Sequence, residues 1–100
     1  MSQLDRIIKY FRMHYSFRCF YCGTQLRRAQ TPLHSKKTRD HVIPKAKGGK
    51  DGKQNIVPCC LPCNADKRDS TLEEFRVRRY GSRPIEFFAE TMFRQRKDVE

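Results

Sequence analysis

Two Cys-x-x-Cys pairs, Cys19 with Cys22 and Cys60 with Cys63, constrain this chain more than any other feature. A turn with that spacing presents two thiolates to one ion, and two such turns complete a tetrahedral set. The chain needs a staple of this kind. Its 100 residues are 37% hydrophobic and 33% charged, and a domain so small and polar buries too little surface to rely on its core alone. The fifth cysteine, Cys59, makes the count odd, and four of the five fall into pairs, which argues for metal over disulfides. Cys59 and Cys60 are neighbours, and only Cys60 has the x-x spacing to Cys63. The stretch between the pairs, residues 23 to 59, exceeds the roughly 15–20 residues of a simple zinc ribbon. It should therefore have a structure and purpose of its own.

The setting agrees with free thiols. The opening MSQLDRIIKYF has no apolar stretch or small-residue cleavage site of a secretory signal, and no apolar run is long enough to span a bilayer. A cytoplasmic location, in a bacterial or phage-type setting, is the expectation, and there thiols stay reduced. The net charge is +11, from 22 Lys and Arg against 11 Asp and Glu. That favours a polyanionic partner, nucleic acid before an anionic membrane.

A single domain over residues 1–100 is expected, with its core at about 17–69 and helices on both sides. Leu4, Ile7, Ile8 and Phe11 recur at i, i+3, i+4, i+7, which predicts a helix over about 3–14 with Ser2 as N-cap and Arg6, Lys9 and Arg12 outward. Phe17, Phe20 and Tyr21 can pack around the first cysteine pair, whose Gly23 suits a tight turn. Residues 24–37 read as a basic loop because of Pro32, with His34 exposed on it. Thr38 to Ile43 predicts a strand closed by Pro44, and Lys45 to Lys53 a glycine-rich basic turn. Gln54 to Pro58 predicts the return strand, followed by a helix from about Asn64. Ser70 or Thr71 with Glu73 or Glu74 has capping-box spacing. Helices are expected over about 71–96, stopping once at Gly81 and restarting near Pro84, with Ile85, Phe88, Ala89, Met92 and Phe93 on one face.

The intervening stretch carries chemistry. Cutting a phosphodiester needs an activated water, relief of charge on the phosphate and help for the departing oxygen. A histidine with pKa near 6.5 can take the proton at neutral pH, and a hard cation on a carboxylate and an amide oxygen can serve the rest. His41 fits the base, and Asp40 and Asn64 fit the ligands. Neighbours on a regular strand point to opposite faces, so Asp40 and His41 can share a site only where the strand bends, bulges or ends.

In this order, Asp40-His41-Val42-Ile43-Pro44, Gly48-Gly49, Asn55-Ile56-Val57 and Cys60-x-x-Cys63-Asn64-x-x-Lys67 resemble the HNH endonuclease family. The resemblance implies an α+β fold: a small ββα-metal core of a two-stranded hairpin plus helix, stapled by structural zinc on Cys19, Cys22, Cys60 and Cys63. It implies a first strand distorted at Asp40-His41. It implies His41 as general base, Asn55 orienting the loop, and Asn64 at a position where many relatives carry histidine, an H-N-N variant. Asp40 and Asn64 would hold a catalytic Mg²⁺ or Mn²⁺, since oxygen donors favour those ions. Cleavage would leave 5′-phosphate and 3′-hydroxyl ends. Lys36, Lys37, Arg39, Lys45, Lys47, Lys67, Arg76 and Arg79 are the expected DNA contacts, and Arg18 and Lys67 are placed to offset the thiolate charge. The rival reading is a zinc-stabilised DNA-binding module that does not cut; a third is an RNA-directed nuclease. Oligomeric state stays open, a dimer being one way to cut both strands.

Overall fold

The first helix, α1 (Gln3–His14), begins where a side chain can satisfy its free amides. The Ser2 hydroxyl accepts from the Asp5 amide, and the Asp5 carboxylate accepts from the Ser2 amide, a capping box. The structure is a computed structural model that describes residues 2–27, 36–81 and 87–95. The expected face of α1 buries Ile7, Ile8 and Phe11. Arg12, expected to face solvent or DNA, instead donates to the Ile56 carbonyl at 2.6 Å and ties the helix to the hairpin.

The first cysteine pair sits in a turn closed by the Gly23 amide on the Cys19 carbonyl. Gly23 has φ +79°, and a Cβ there would lie 2.5 Å from the Phe88 ring, so both conformation and packing require glycine. Phe20 and Tyr21 are buried as expected, but Phe17 is 48% exposed, with the Arg18 guanidinium over its ring. Gln25 pairs with Arg18 and Arg27 with Lys36; Pro32 and His34 fall outside the described residues.

Strands β1 (Lys37–His41) and β2 (Ile56–Cys60) form the antiparallel hairpin. Its register runs without a bulge from Lys37 opposite Cys60 to His41 opposite Ile56. β1 is thus shorter than Thr38 to Ile43 suggested, and no distortion falls at Asp40-His41. The strand simply ends at His41. β2 runs directly into α2 (Leu61–Lys67), three residues ahead of the expected start at Asn64. Pro62 sits in the first turn, where its missing N–H costs no helical bond.

Thr71 caps α3 (Leu72–Tyr80) in a second capping box with Glu74, which settles the choice among the two hydroxyls and two glutamates. Gly81, φ +68°, ends it. The last helix, α4 (Phe88–Gln95), buries Ala89 and Phe93 against α1; Pro84, Ile85 and residues 96–100 lie outside the described set. An aromatic network joins these elements: Phe11 meets Phe20 edge-on, and Tyr21 meets both Phe75 and Phe87. Rings bury more apolar area per residue than any other side chains, which is how so polar a chain builds a core. The architecture is α+β, a hairpin and helix with four convergent cysteines and helices at both ends. No described helix is long and apolar enough to cross a membrane.

Candidate metal centre and active site

The Cys19–Cys22 turn lies against the junction of β2 and α2, which carries Cys60 and Cys63. The four Sγ atoms fall within 4.8 Å of one another, close enough to ligate one ion. The neighbouring thiol Cys59 is not in this set; it is buried and donates to the Cys60 carbonyl. Without a cation the cluster is electrostatically unequal. The Cys22 thiol, first among its neighbours, stabilises Cys19 as thiolate and lowers its pKa, while burial pushes Cys60 up to about 11. Four thiols so crowded cannot all ionise unless a cation offsets them, and the donor set therefore fits a soft divalent metal. The offsetting side chain differs from expectation. Arg79 donates to Cys63 Sγ at 3.1 Å, whereas Arg18 donates to the Gly23 carbonyl.

Lys67, expected at DNA and at the thiolates, is fully buried and turned the other way. Its Nζ lies 3.1 Å from Asp40 Oδ2 and donates to the His41 carbonyl at 2.9 Å. A side chain with no solvent exposure cannot reach a phosphate, so it leaves the list of DNA contacts. The Tyr21 hydroxyl donates to the same Oδ2; burial, with the Asp40 charge beside it, raises the phenol well above its ordinary pKa and keeps it a donor. Asp40 is thus held by one oxygen.

His41, one residue on, points to the other face, where its Nε2 lies 2.8 Å from Asp51 Oδ1. The His41 ring N–H and then Lys45 hold the Asp51 carboxyl below its usual range. Asn55 brings residues 41 and 51 together. Its Oδ1 accepts from the Ile43 amide, and its Nδ2 donates to the Ile43 and Lys50 carbonyls. The loop can close this tightly because position 49 is glycine; a Cβ there would lie 1.7 Å from the Ile43 carbonyl oxygen.

Asn64, in α2, has an orientation fixed by its partners. Nδ2 donates to Thr38 Oγ1 at 3.0 Å and to the Arg39 carbonyl at 3.1 Å. The Thr38 hydroxyl spends its own proton on the Cys59 carbonyl, so it can only accept from Asn64. The amide oxygen is therefore the end left for a ligand. Asp40, His41 and Asn64 line one open pocket of about 310 Å³ at the end of β1, together with Pro44, Lys45 and Asp69 among others. Two of its acidic neighbours were not foreseen. Asp69 lies in a charged run that singles out no residue, and Asp51 becomes visible only once the loop folds back.

Around this pocket Lys36, Lys37, Arg39, Lys45 and Lys47 are exposed. Lys45 reaches Asp51, and Lys47 reaches Glu74. Arg76 and Arg79 are engaged inside the protein, Arg76 with Glu73 and Glu90, Arg79 with Asp66 and Cys63. Both were expected at DNA. The family model described as HNH endonuclease matches residues 19–79 of the chain. No curated protein matches.

Proposed function

The chain belongs to the HNH endonuclease family, and from that premise we propose that it is a metal-dependent endonuclease hydrolysing phosphodiester bonds in DNA. The observation that carries the reading is the shared pocket: Asp40, His41 and Asn64 line the same open cavity. His41 takes the proton of the attacking water. Lys67 and Tyr21 keep Asp40 fixed by Oδ2, so that Oδ1 is its free oxygen. Thr38 and the Arg39 carbonyl turn the Asn64 oxygen outward. Asp40 and Asn64 are then an all-oxygen donor pair suited to Mg²⁺ or Mn²⁺. Such an ion, when bound, supplies positive charge to the phosphate and the leaving oxygen. Asn55 keeps the loop, and with it His41, in place.

Zinc on Cys19, Cys22, Cys60 and Cys63 is structural on this account, because all four positions are filled by protein. Lys36, Lys37, Arg39, Lys45 and Lys47 position the DNA backbone without reading its sequence. The products carry 5′-phosphate and 3′-hydroxyl ends. The test is nicking of supercoiled plasmid by wild type and His41→Ala in Mg²⁺ or Mn²⁺, with zinc content and circular dichroism recorded for both. Nicking lost, with zinc and helicity kept, supports the reading. Equal behaviour of the two proteins would favour a binding module, and cleavage of RNA but not plasmid would move the substrate to RNA.

A further inference from the structure

His41 has a second partner that the general-base reading does not use. Its Nε2 lies 2.8 Å from Asp51 Oδ1, and Asp51 Oδ2 lies 3.4 Å from Lys45 Nζ. A carboxylate has no proton to give, and a neutral imidazole has one N–H. The shared hydrogen therefore belongs to Nε2, and the ring's lone pair is on Nδ1. The contact spans a loop clamped at both ends. Asn55 holds Ile43, two residues past His41, and Lys50, the residue before Asp51.

We propose that Asp51 is a positioning residue for His41: it fixes the ring in the Nε2–H tautomer and leaves Nδ1 to accept the proton of the attacking water. The proposal rests on the reading of His41 as the base. The plainer account of the pair is an incidental surface contact, for the Asp51 side chain is 70% exposed and such pairs add little stability. Its surroundings argue otherwise. Asp51 lines an open groove of about 410 Å³ with Arg12, Lys37, Arg39 and Lys53, where a polyanion would be attracted and a carboxylate only repels. A residue that opposes substrate binding in that place needs a reason to be there, and orienting the base is one.

The two effects have opposite signs, so they can be separated. Asp51→Ala, Asp51→Asn and Asp51→Glu are compared by DNA affinity in fluorescence anisotropy and by single-turnover nicking at saturating DNA. The His41 tautomer is read from long-range ¹⁵N–¹H NMR of the ring in its neutral form. Asp51→Ala should bind DNA as tightly as wild type or more so, yet cut slower by about tenfold or more, as expected of a base left in the wrong tautomer. Asp51→Asn should do no better, since its amide N–H can face the ring and favour the opposite tautomer. Asp51→Glu should recover part of the rate. In NMR, wild type should show the Nε2–H form and Asp51→Ala should lose that preference. A ring unchanged in Asp51→Ala, or a rate unchanged at saturating DNA, overturns the proposal. A wild type that holds the Nε2–H tautomer through Asp51 but cuts nothing overturns the nuclease reading instead and leaves the hold on the ring standing.

Discussion

Replacing Lys67 by methionine should be among the most damaging single changes in the chain. Methionine keeps an unbranched apolar stem of nearly the same length, with sulfur in place of one methylene, and removes the ammonium. Asp40, 6% exposed, is then a buried carboxylate with the Tyr21 hydroxyl as its remaining donor on Oδ2. Removing one partner of a buried pair costs about 3–5 kcal/mol. The His41 carbonyl also loses its Lys67 donor, a loss of about 1–3 kcal/mol when an acceptor stays buried and unpaired. The same ammonium makes both contacts, so the two figures overlap, and about 4 kcal/mol is the working value. In a domain of this size each kcal/mol lowers Tm by about 4–8 °C, which predicts a fall of roughly 15–30 °C. The assay is urea and thermal unfolding followed by circular dichroism, with zinc at a fixed excess because bound metal shifts apparent stability. Adding Asp40→Asn to Lys67→Met removes the stranded charge and should restore about 2 kcal/mol. A cost below about 1 kcal/mol for Lys67→Met, or further loss on adding Asp40→Asn, would refute the buried pair.

Two other outcomes follow from contacts beyond the pocket. Arg79→Gln removes the guanidinium donor to Cys63 Sγ, and loss of such an outer partner weakens metal affinity by about 10–100-fold; chelator competition for zinc measures it, and an unchanged affinity would count against the contact. Glu74 has its pKa lowered to about 2, chiefly by the Thr71 amide and then by Lys47. A depressed carboxylate contributes stability fully above its unfolded value near 4.5 and loses it as pH falls toward about 2. The stability gap between wild type and Glu74→Gln should therefore stay constant from pH 8 to pH 5, and a gap that closes within that range would contradict the capping box.

Local features of the sequence were legible where one short stretch decides the outcome. The i, i+3, i+4, i+7 pattern and Ser2 gave α1, and the Thr71 to Glu74 spacing gave the start of α3. The two cysteine pairs gave the staple, and the structure selects Cys60 over Cys59 because Cys60 ends β2 with its Sγ toward the other three. The start of α2 lies three residues before the expected Asn64, because Pro62 is tolerated in a first helical turn.

The candidate site was legible as a set of residue types and not as a set of contacts. Asp40, His41 and Asn64 stand out by chemistry and order, yet who holds each of them depends on elements far apart in the chain. The sequence assigns Lys67 to DNA contact and to the thiolate charge. Only the packing of α2 on β1 shows that it is buried against Asp40. Arg79 looked like a phosphate contact until α3 laid it on Cys63. The conflict between neighbouring side chains at 40 and 41 resolves in the simplest way. The strand stops at His41, and its last two residues both line the open pocket there.

The central claim is that two cations do separate work, one held by sulfur to keep the fold and one held by oxygen to cut. The direct measurement is nicking of supercoiled plasmid by zinc-loaded protein during a brief exposure to EDTA, with zinc content and helicity followed in parallel, and then after Mn²⁺ is added back. The prediction is that cutting stops at once while zinc and helicity persist, and that Mn²⁺ restores it in wild type but not when Asp40→Asn and Asn64→Ala are combined. Cutting that continues through EDTA, or that vanishes only as zinc leaves and the helices melt, would contradict the account.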